Sequence, residues 1–168
     1  MNFITIPCHE NLQPFIRNYW LLAAQCTARG TQRIFSNGAA SLHFYLTQPV
    51  SLDGSDFVYR TSLNRHDLSC MDVTCQPGIV QIFGVEFVPF CSRLFFKSDD
   101  ESSHLTPEML GDEEMISMAQ QVHEAADNEE RKLVLDEFFC KKLMQISVNE
   151  VNMERMEEVF QDIVPVTD

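Results

Sequence analysis

The sequence predicts an α+β protein, in which an antiparallel β half is followed by about three C-terminal helices. Five of the six glycines lie at or before Gly84, and short runs of β-branched and aromatic residues stand between them. Beyond residue 105 the apolar residues recur at a period of about 3.6, which is typical of helices. With 168 residues, 45% of them hydrophobic, the chain can form one core but is too short for two independent ones.

Three strands are predicted in the middle of the N-terminal half. The segment "ASLHFYLT" follows a turn at "SNGA" and alternates between two faces. One face carries Leu42, Phe44 and Leu46, and the other carries Ser41, His43 and Tyr45. The segment "DFVYRTSL", entered from the turn "SLDGS", is predicted as one further strand, and another is predicted around residues 70–74, before the turn "QPG".

A long strand is predicted at residues 79–88, within "IVQIFGVEFVPFCSRLFF". Only Gln81 and Glu86 interrupt its apolar character, so both faces of this strand should be buried. Pro89 cannot donate a hydrogen bond to a sheet and should end the strand. The apolar residues at 94–96 then return at helical spacing, which favours a short helix packed over the end of the sheet.

Capping signals mark the predicted helices of the second half. Thr106 as N-cap and Pro107 at the first helical position predict a single turn at "LTPEMLG". The segment "DEEMISMAQQVHEA" predicts a helix with one apolar stripe, formed by Met115, Met118, Ala119, Val122 and Ala126. Asp127 with Glu130 predicts the start of the helix at 129–146. A last helix is predicted at 148–163, ending before Pro165.

The charge of the chain is concentrated in its second half. The formal net charge is −13, and residues 96–168 hold 19 acidic against 6 basic residues, whereas residues 1–95 are balanced. Such an acidic segment repels a phosphate backbone, so direct binding of nucleic acid by this chain is not expected. The first residues lack a secretory signal pattern and no stretch approaches the roughly 20 apolar residues of a membrane span. We therefore expect no membrane association and a cytoplasmic location.

Cysteine and histidine patterns give no support to a metal site or to catalysis. The six cysteines form no Cys-x-x-Cys pair and are expected to be mostly buried, reduced side chains. His66, Cys70 and Cys75 come nearest to a zinc site, but the spacing and a fourth ligand are missing. The chain also lacks Gly-x-Ser-x-Gly, a phosphate-binding glycine loop, His-Glu-x-x-His and His-x-His. We expect no catalytic residue, no metal and no cofactor.

Polar-tipped residues within apolar strands are the candidates for a small-molecule pocket, because buried polar groups need partners. The candidates for ligand binding are Trp20 and Phe44 as apolar residues and Arg33, His43 and Glu86 as polar ones. Glu86 could instead pair with an arginine of the first half or point outward at a strand end. His43 could be a structural histidine, and Tyr19, Trp20 and Arg33 could belong to the core or rim.

Three segments resemble the N-terminal domain of one group of AraC-type transcriptional regulators, namely "PCHENLQPFIRNYWLL", "SNGAASLHFYL" and "GIVQIFGVEFVPFCSRLFF". The shared residues are Pro7, Leu12, Tyr19, Trp20, Gly84, Val85, Phe87, Pro89, Leu110 and Gly111, together with the segment "LDEFF". The resemblance spans most of residues 7–146. In that group of regulators the strand that corresponds to residues 79–88 commonly continues as Pro-x-Gly. This chain instead has Cys91 at the glycine position.

The resemblance implies a cupin-like, β-barrel-like sensing region at residues 1–96. It further implies a helical dimerisation region at 97–163, packed on the first as one structural domain, and a linker stub at 164–168. An unknown small-molecule effector would bind and a homodimer would form. DNA would be reached only through a C-terminal domain that is missing from this sequence, since the two helix-turn-helix units of such regulators would follow around residue 165. The candidates for the dimer interface are Leu135, Phe139, Lys142 and Ile146.

Two other functions stay open at the level of the sequence. A small cupin-like enzyme or metal-binding protein is the main alternative, and a purely structural interaction domain is the other. Whether the apolar excess at 129–146 faces a partner also stays open, because the neighbouring helices could cover it.

Overall fold

Ten strands, all paired antiparallel, form two sheets in the computed structural model, which describes residues 1–35, 38–65 and 70–147. The strands are β1 (Asn2–Ile6), β2 (Ile16–Cys26), β3 (Gly30–Phe35), β4 (Ser41–Tyr45), β5 (Val50–Leu52), β6 (Val58–Tyr59), β7 (Thr61–Asn64), β8 (Cys70–Cys75), β9 (Gly78–Phe87) and β10 (His104–Leu105). The six-stranded sheet has the order β1-β2-β9-β4-β7-β10, and the four-stranded sheet has the order β3-β8-β5-β6. The predicted α+β class is confirmed.

The two sheets are separate layers, and the pairing of the described strands does not close them into a barrel. The chain passes from one sheet to the other at Arg60, which divides the segment predicted as a single strand into β6 and β7. The carbonyl of Arg60 accepts a hydrogen bond from the amide of Tyr45 at 2.9 Å, so this crossing is tied to β4. A period-2 pattern continues across such a corner, which is why the sequence predicted one strand.

Alternating side chains of the central strands enter two different cores. On β9, Phe83, Val85 and Phe87 face the helices, whereas Val80 and Ile82 face the four-stranded sheet. The long strand β9 is therefore buried on both faces over most of its length, as predicted.

A tight turn follows β9 at Pro89. The amide of Cys91 donates to the carbonyl of Val88 at 3.0 Å, and Phe90 adopts a φ of 68°. A positive φ is unusual for a bulky residue, and it is accommodated here without glycine at position 91.

Four α-helices and one short 3-10 helix lie within the described residues. They are the 3-10 helix (Glu10–Leu12), α1 (Ser92–Phe95), α2 (Pro107–Leu110), α3 (Glu113–Glu124) and α4 (Asn128–Ser147). The Thr106 hydroxyl accepts from the amide of Met109, and Gly111 ends α2 with a φ of 64°. Asp127 accepts from the amide of Glu130 at 2.8 Å, as the predicted capping pattern requires. The last predicted helix, at 148–163, lies outside the described residues.

The helices pack on the six-stranded sheet through an aromatic cluster. Phe139 of α4 is fully buried, with its ring centroid 4.9 Å from that of Phe95 and 5.8 Å from that of Phe87. On α3 the buried residues are Met115, Met118, Ala119 and Val122, as the stripe predicted. Ala126 lies beyond the end of α3 and is exposed.

Two of the four residues predicted for a dimer interface are inside this core. Leu135 and Phe139 have no exposed surface, so in this fold they are unavailable to a second chain. Lys142 is directed to the N-terminus of α3, where its ammonium lies 3.0 Å from the Asp112 carboxylate. Ile146 is half-buried. The outward face of α4 instead carries Leu133 and Met144, which are 65% and 70% exposed.

In the described part of the chain, none of the helices combines the length and the apolar character that crossing a bilayer requires.

Candidate ligand-binding site

A cavity of about 420 Å³ lies between the two sheets, at the end where β3, β4 and β7 begin or end. Its size falls within the range that small-molecule sites occupy. The lining residues are Phe3, Trp20, Leu22, Arg33, Ile34, Phe35, Ala39, Ser41, His43, Asn64, Arg65, Cys70, Met71 and Glu86. Residues opposite each other in an antiparallel sheet point to the same face, so the strand register determines the order of the groups on the floor of the cavity.

The register arranges the cavity side of the six-stranded sheet in three transverse rows. The apolar row is Phe3, Leu22, Ile82 and Tyr45. The middle row is Trp20, Gly84, His43 and Ser62. The polar row is Asn18, Glu86, Ser41, Asn64 and His104. Successive rows are two residues apart, or about 7 Å, so polarity rises steadily along the strands.

Trp20 lies directly over Gly84 in the middle row. A Cβ atom added at Gly84 would stand 2.0 Å from the Trp20 ring, so only glycine admits the indole in this position. The edge of the ring meets His43, with centroids 4.9 Å apart and planes at 81°. Phe3 stacks near the same indole at 5.8 Å. The indole is thus held in place by the backbone on one side and by aromatic rings around it.

His43 is a buried, neutral side chain. Desolvation lowers the pKa of its imidazole to about 3, and the nearby His104 lowers it further. Its Nδ1 lies 3.5 Å from the Tyr45 hydroxyl, which in turn lies 2.8 Å from the Ser62 hydroxyl. A neutral imidazole at the floor of the cavity supplies hydrogen-bonding capacity without a charge.

The polar row is linked to the four-stranded sheet by His104. Its Nδ1 lies 2.7 Å from Asn64 Oδ1, and its Nε2 lies 2.6 Å from a carboxylate oxygen of Asp53. The second oxygen of Asp53 accepts from the amide of Asp72 on β8 at 2.8 Å. This chain of contacts fixes the separation of the two sheets at the polar end of the cavity.

Glu86 is the acidic side chain of the polar row. Its carboxylate lies 3.6 Å from the Arg17 guanidinium, and its side chain is 24% exposed. An arginine partner was one of the alternatives that the sequence left open for Glu86. The ion pair and the cavity coexist here, because Glu86 both contacts Arg17 and lines the cavity.

Two arginines line the cavity, and each has a polar partner at its border. Met71 and Val73 are buried between the sheets, so Asp72, which lies between them, faces outward, and it holds Arg33 by two hydrogen bonds of 2.9 and 3.2 Å. Arg65 donates from its guanidinium to the carbonyl of Asp100 at 3.1 Å, in the loop before β10.

Four of the five predicted ligand-binding residues line this one cavity: Trp20, Arg33, His43 and Glu86. Phe44 is on the opposite face of β4, fully buried in the core beneath the helices, where its ring lies 6.0 Å from that of His123. Tyr19 is likewise in that core, and its hydroxyl donates to Asp136 at 2.7 Å.

Sequence reasoning missed Phe3, Ser41, Asn64 and Met71 as lining residues. Ser41 and Phe3 carry no local signal of a pocket, because serine is common in strands and a lone phenylalanine near a terminus is unremarkable. The registers Ser41↔Asn64 and Phe3↔Leu22 place them there, and registers follow from tertiary pairing.

Within residues 1–35, 38–65 and 70–147 no three His, Cys, Asp or Glu side chains are grouped as metal ligands would be. Of the weak zinc candidate, Cys70 lines the cavity and Cys75 is buried, while His66 lies outside the described residues.

The fold and the cavity define an α+β protein with a cavity between two antiparallel sheets. The chain belongs to the family of a domain of unknown function, DUF6597, whose family model matches residues 4–107. That match covers both sheets apart from Asn2 and Phe3 of β1, and every described residue that lines the cavity except Phe3. A search among curated proteins finds no similar sequence.

Proposed function

We propose that this chain is the ligand-sensing and dimerisation part of an AraC-type transcription regulator, controlling a DNA-binding domain that follows it. The observation that carries the proposal is the gathering of Trp20, His43 and Glu86 around one cavity of small-molecule size. These residues come from three neighbouring strands of the six-stranded sheet, β2, β4 and β9.

The residues of the resemblance also meet in space. Trp20 belongs to the opening Tyr-Trp pair, and Gly84 belongs to the later Gly-Val-x-Phe-x-Pro strand end. The Trp20 indole fits in its position only because residue 84 has no side chain. Two motifs 64 residues apart in sequence thus form one structural unit on the cavity floor.

A route from the cavity to the helices supports a sensing role. Tyr19 and Trp20 are adjacent on β2 and point to opposite faces, one to the helices and the other to the cavity. The Tyr19 hydroxyl donates to Asp136, which also accepts from Lys132 at 2.6 Å and from the amide of His9 at 3.0 Å. A ligand that displaces Trp20 would therefore act on α4 through the adjacent Tyr19. Allosteric control needs a contact of this kind, which differs between the bound and the free state.

Dimerisation is assigned to the outward face of α4. Leu133 and Met144 are separated by three helical turns on this face, and both are largely exposed. A symmetric pair would use the same stripe twice and would hold two downstream domains at a fixed spacing. The acidic second half of the chain agrees with a regulator whose DNA contacts are made by another domain.

The ligand-sensing part is tested by screening a metabolite library by thermal shift, then repeating the hits on Trp20→Ala and Glu86→Gln. A ligand at about 100 times its Kd should stabilise the wild type by about 2.7 kcal/mol, and both variants should lose most of that shift. Ile79→Ala is the control, because Ile79 is 60% exposed on β9 and does not line the cavity. The absence of any stabilising compound, or equal shifts in all four proteins, contradicts the proposal.

The dimerisation part is tested by sedimentation at increasing salt. Because Glu129, Glu130 and Glu137 flank the proposed interface, their repulsion should be screened and the dimer should tighten as salt rises. Leu133→Glu should shift the protein toward monomer, and Ile79→Glu, which adds the same charge on the β half, should not. A wild type that stays monomeric at high micromolar concentration and moderate salt removes this part of the proposal.

A further inference from the structure

Two cysteines lie beyond the apolar row, at the end of the sheets where the chain passes twice from one sheet to the other. Cys26 is the last residue of β2 in the six-stranded sheet, and Cys75 is the last residue of β8 in the four-stranded sheet. Residues 27–29 connect β2 to β3, and residues 76–77 connect β8 to β9. Because both connections are short, they hold the ends of the two sheets close together.

Both cysteine side chains point into the space between the sheets. On β2, Cys26 is on the same face as Leu22, because the pairing with β9 runs without a shift between them. On β8, Cys75 is on the same face as Val73, and both are buried in the core between the sheets. Cys26 packs against that same core.

The strand register brings the two cysteines together. Cys26 is opposite Gly78, which follows Cys75 by three residues, and Cys75 is opposite Gly30, which follows Cys26 by four. Burial raises the pKa of the Cys75 thiol to about 11, and the Cys26 thiol, which is within hydrogen-bonding reach, contributes to that rise. A disulfide requires two sulfurs that approach from side chains directed at each other, and this pair meets that requirement.

The two thiols differ in their access to solvent. Cys26 is partly exposed, whereas Cys75 is only 3% exposed. A dissolved oxidant therefore reaches the Cys26 sulfur first. Cys75 lies behind it in the core, in the position of the resolving thiol that redox-sensitive cysteines often have beside them.

We propose that Cys26 and Cys75 are a redox modification site, which hydrogen peroxide converts into a disulfide between the two sheets. The Cys26 sulfur attacks one peroxide oxygen, the O–O bond breaks, and the leaving hydroxide takes the thiol proton as water, so that Cys26 becomes a sulfenic acid. The Cys75 sulfur then attacks the Cys26 sulfur. The S–S bond forms, the S–O bond breaks, and the hydroxyl leaves as water with the Cys75 proton.

The two thiols thus lose two electrons, and the peroxide is reduced to water. The disulfide would join the sheets beyond the apolar row, while His104 and Asp53 already link them at the polar end. Oxidation would therefore fix the separation of the cavity walls at both ends. This inference does not depend on the proposed ligand-sensing function.

The test treats the folded full chain with hydrogen peroxide, blocks the remaining thiols with N-ethylmaleimide in denaturant, and maps the peptides before and after reduction. We expect a disulfide between Cys26 and Cys75, with the other four of the six cysteines blocked. Cys75→Ser should form no disulfide and should give several-fold more dimedone adduct at Cys26 than the wild type, because the sulfenic acid has lost its resolving thiol.

Cys70→Ser is the matched control, since Cys70 is partly exposed on the same strand, and this variant should behave as the wild type does. Cys26→Ser is the second variant, in which the buried Cys75 should stay reduced at the same peroxide dose. A disulfide of another pair, one that joins two chains, or one that forms only in the unfolded protein overturns the inference. Six free thiols after millimolar peroxide, or equal dimedone labelling of the wild type and Cys75→Ser, overturns it as well.

Discussion

At the scale of single residues, the contact between Trp20 and Gly84 depends on the identity of both residues. The indole occupies the space that a side chain at position 84 would fill, so the two positions depend on each other. The contact also sets the distance between the indole and His43, and hence the shape of the cavity floor. A change at either residue should therefore alter both stability and the environment of the indole.

Gly84→Ala should destabilise the protein by about 1–3 kcal/mol and shift the emission of Trp20, because the new methyl group overlaps the ring. Chemical denaturation followed by fluorescence measures both effects. Gly30→Ala is the control: a Cβ there meets its nearest atom, the carbonyl oxygen of Ala28, at an ordinary 3.7 Å. Equal stability and equal emission in the two variants would show that the indole is not fixed over Gly84.

The buried His43 makes the stability of the fold depend on pH. Its pKa is about 3 in the folded state against 6.5 in the unfolded chain, so between these values the unfolded chain binds more protons. Its contribution is fully present above pH 6.5 and is lost as the pH falls toward 3, at a slope of up to about 1.4 kcal/mol per pH unit.

We expect the unfolding free energy of His43→Phe to fall less steeply between pH 6.5 and 4 than that of the wild type. Urea denaturation across this range measures the two slopes, and all other titrating groups are common to both proteins. Parallel curves would mean that the imidazole is protonated in the folded state or reached by water.

The pocket residues could be predicted from the sequence only as far as alternation within a strand allows. His43 and Glu86 stood out because polar groups inside apolar strands need partners. Phe44 and His43 are neighbours and must face opposite sides, so they cannot line one cavity, but the sequence does not say which face of β4 the cavity is on. That choice depends on where the helices pack, which is a property of the assembled fold.

At the scale of elements, Asp112 joins α3 to α4. One carboxylate oxygen accepts from the amide of Met115 and caps α3, and the other lies 3.0 Å from the ammonium of Lys142 on α4. Lys142 also lies 5.6 Å from the centroid of the Phe138 ring. The ion pair therefore fixes the angle between the two helices at a partly buried position.

Two substitutions separate the cap from the ion pair. Asp112→Ala removes both and should cost about 1–2 kcal/mol, whereas Asp112→Asn keeps a good N-cap and should cost only the loss of the charge. Thermal and urea denaturation of the two variants measure these costs. An asparagine variant as unstable as the alanine variant would show that the Lys142 contact, rather than the cap, dominates.

Elements were predicted best where the signal is local. The caps at Thr106 and Asp127 and the stop at Pro89 depend on neighbouring residues, and each was found where predicted. The division of β6 from β7 at Arg60 and the separation into two open sheets were not predicted, because they depend on which strand pairs with which. Pairings between residues distant in sequence leave no local pattern.

At the scale of the whole molecule, the six-stranded sheet and the helices share one of the two cores. Phe87, Phe95 and Phe96 come from the end of β9 and the segment after it, and Phe138 and Phe139 come from α4. Neither half can leave the other without exposing this cluster. The described residues should therefore unfold together.

Phe139→Ala should lower the unfolding free energy by about 3–5 kcal/mol, since it empties a fully buried aromatic position. Fluorescence of Trp20 reports the sheets and circular dichroism reports the helices, and the two transitions should coincide in both proteins. Leu133→Ala, on the exposed face of the same helix, should change stability by less than about 0.5 kcal/mol. If Trp20 unfolds at its original denaturant concentration while the helices unfold earlier, the two halves are independent units.

The alternation of β2, β4 and β9 between two cores also bears on how such a domain can diversify. Positions 20, 22, 43 and 86 face the cavity, while positions 19, 21, 42, 44, 83, 85 and 87 face the helices, so the two sets interleave along the same strands without sharing a side chain. Substitutions in the first set therefore change the lining of the cavity without removing a side chain from the core beneath the helices. A library randomised at positions 22, 43 and 86 would vary the cavity while the packing between the sheet and the helices keeps its own set of residues.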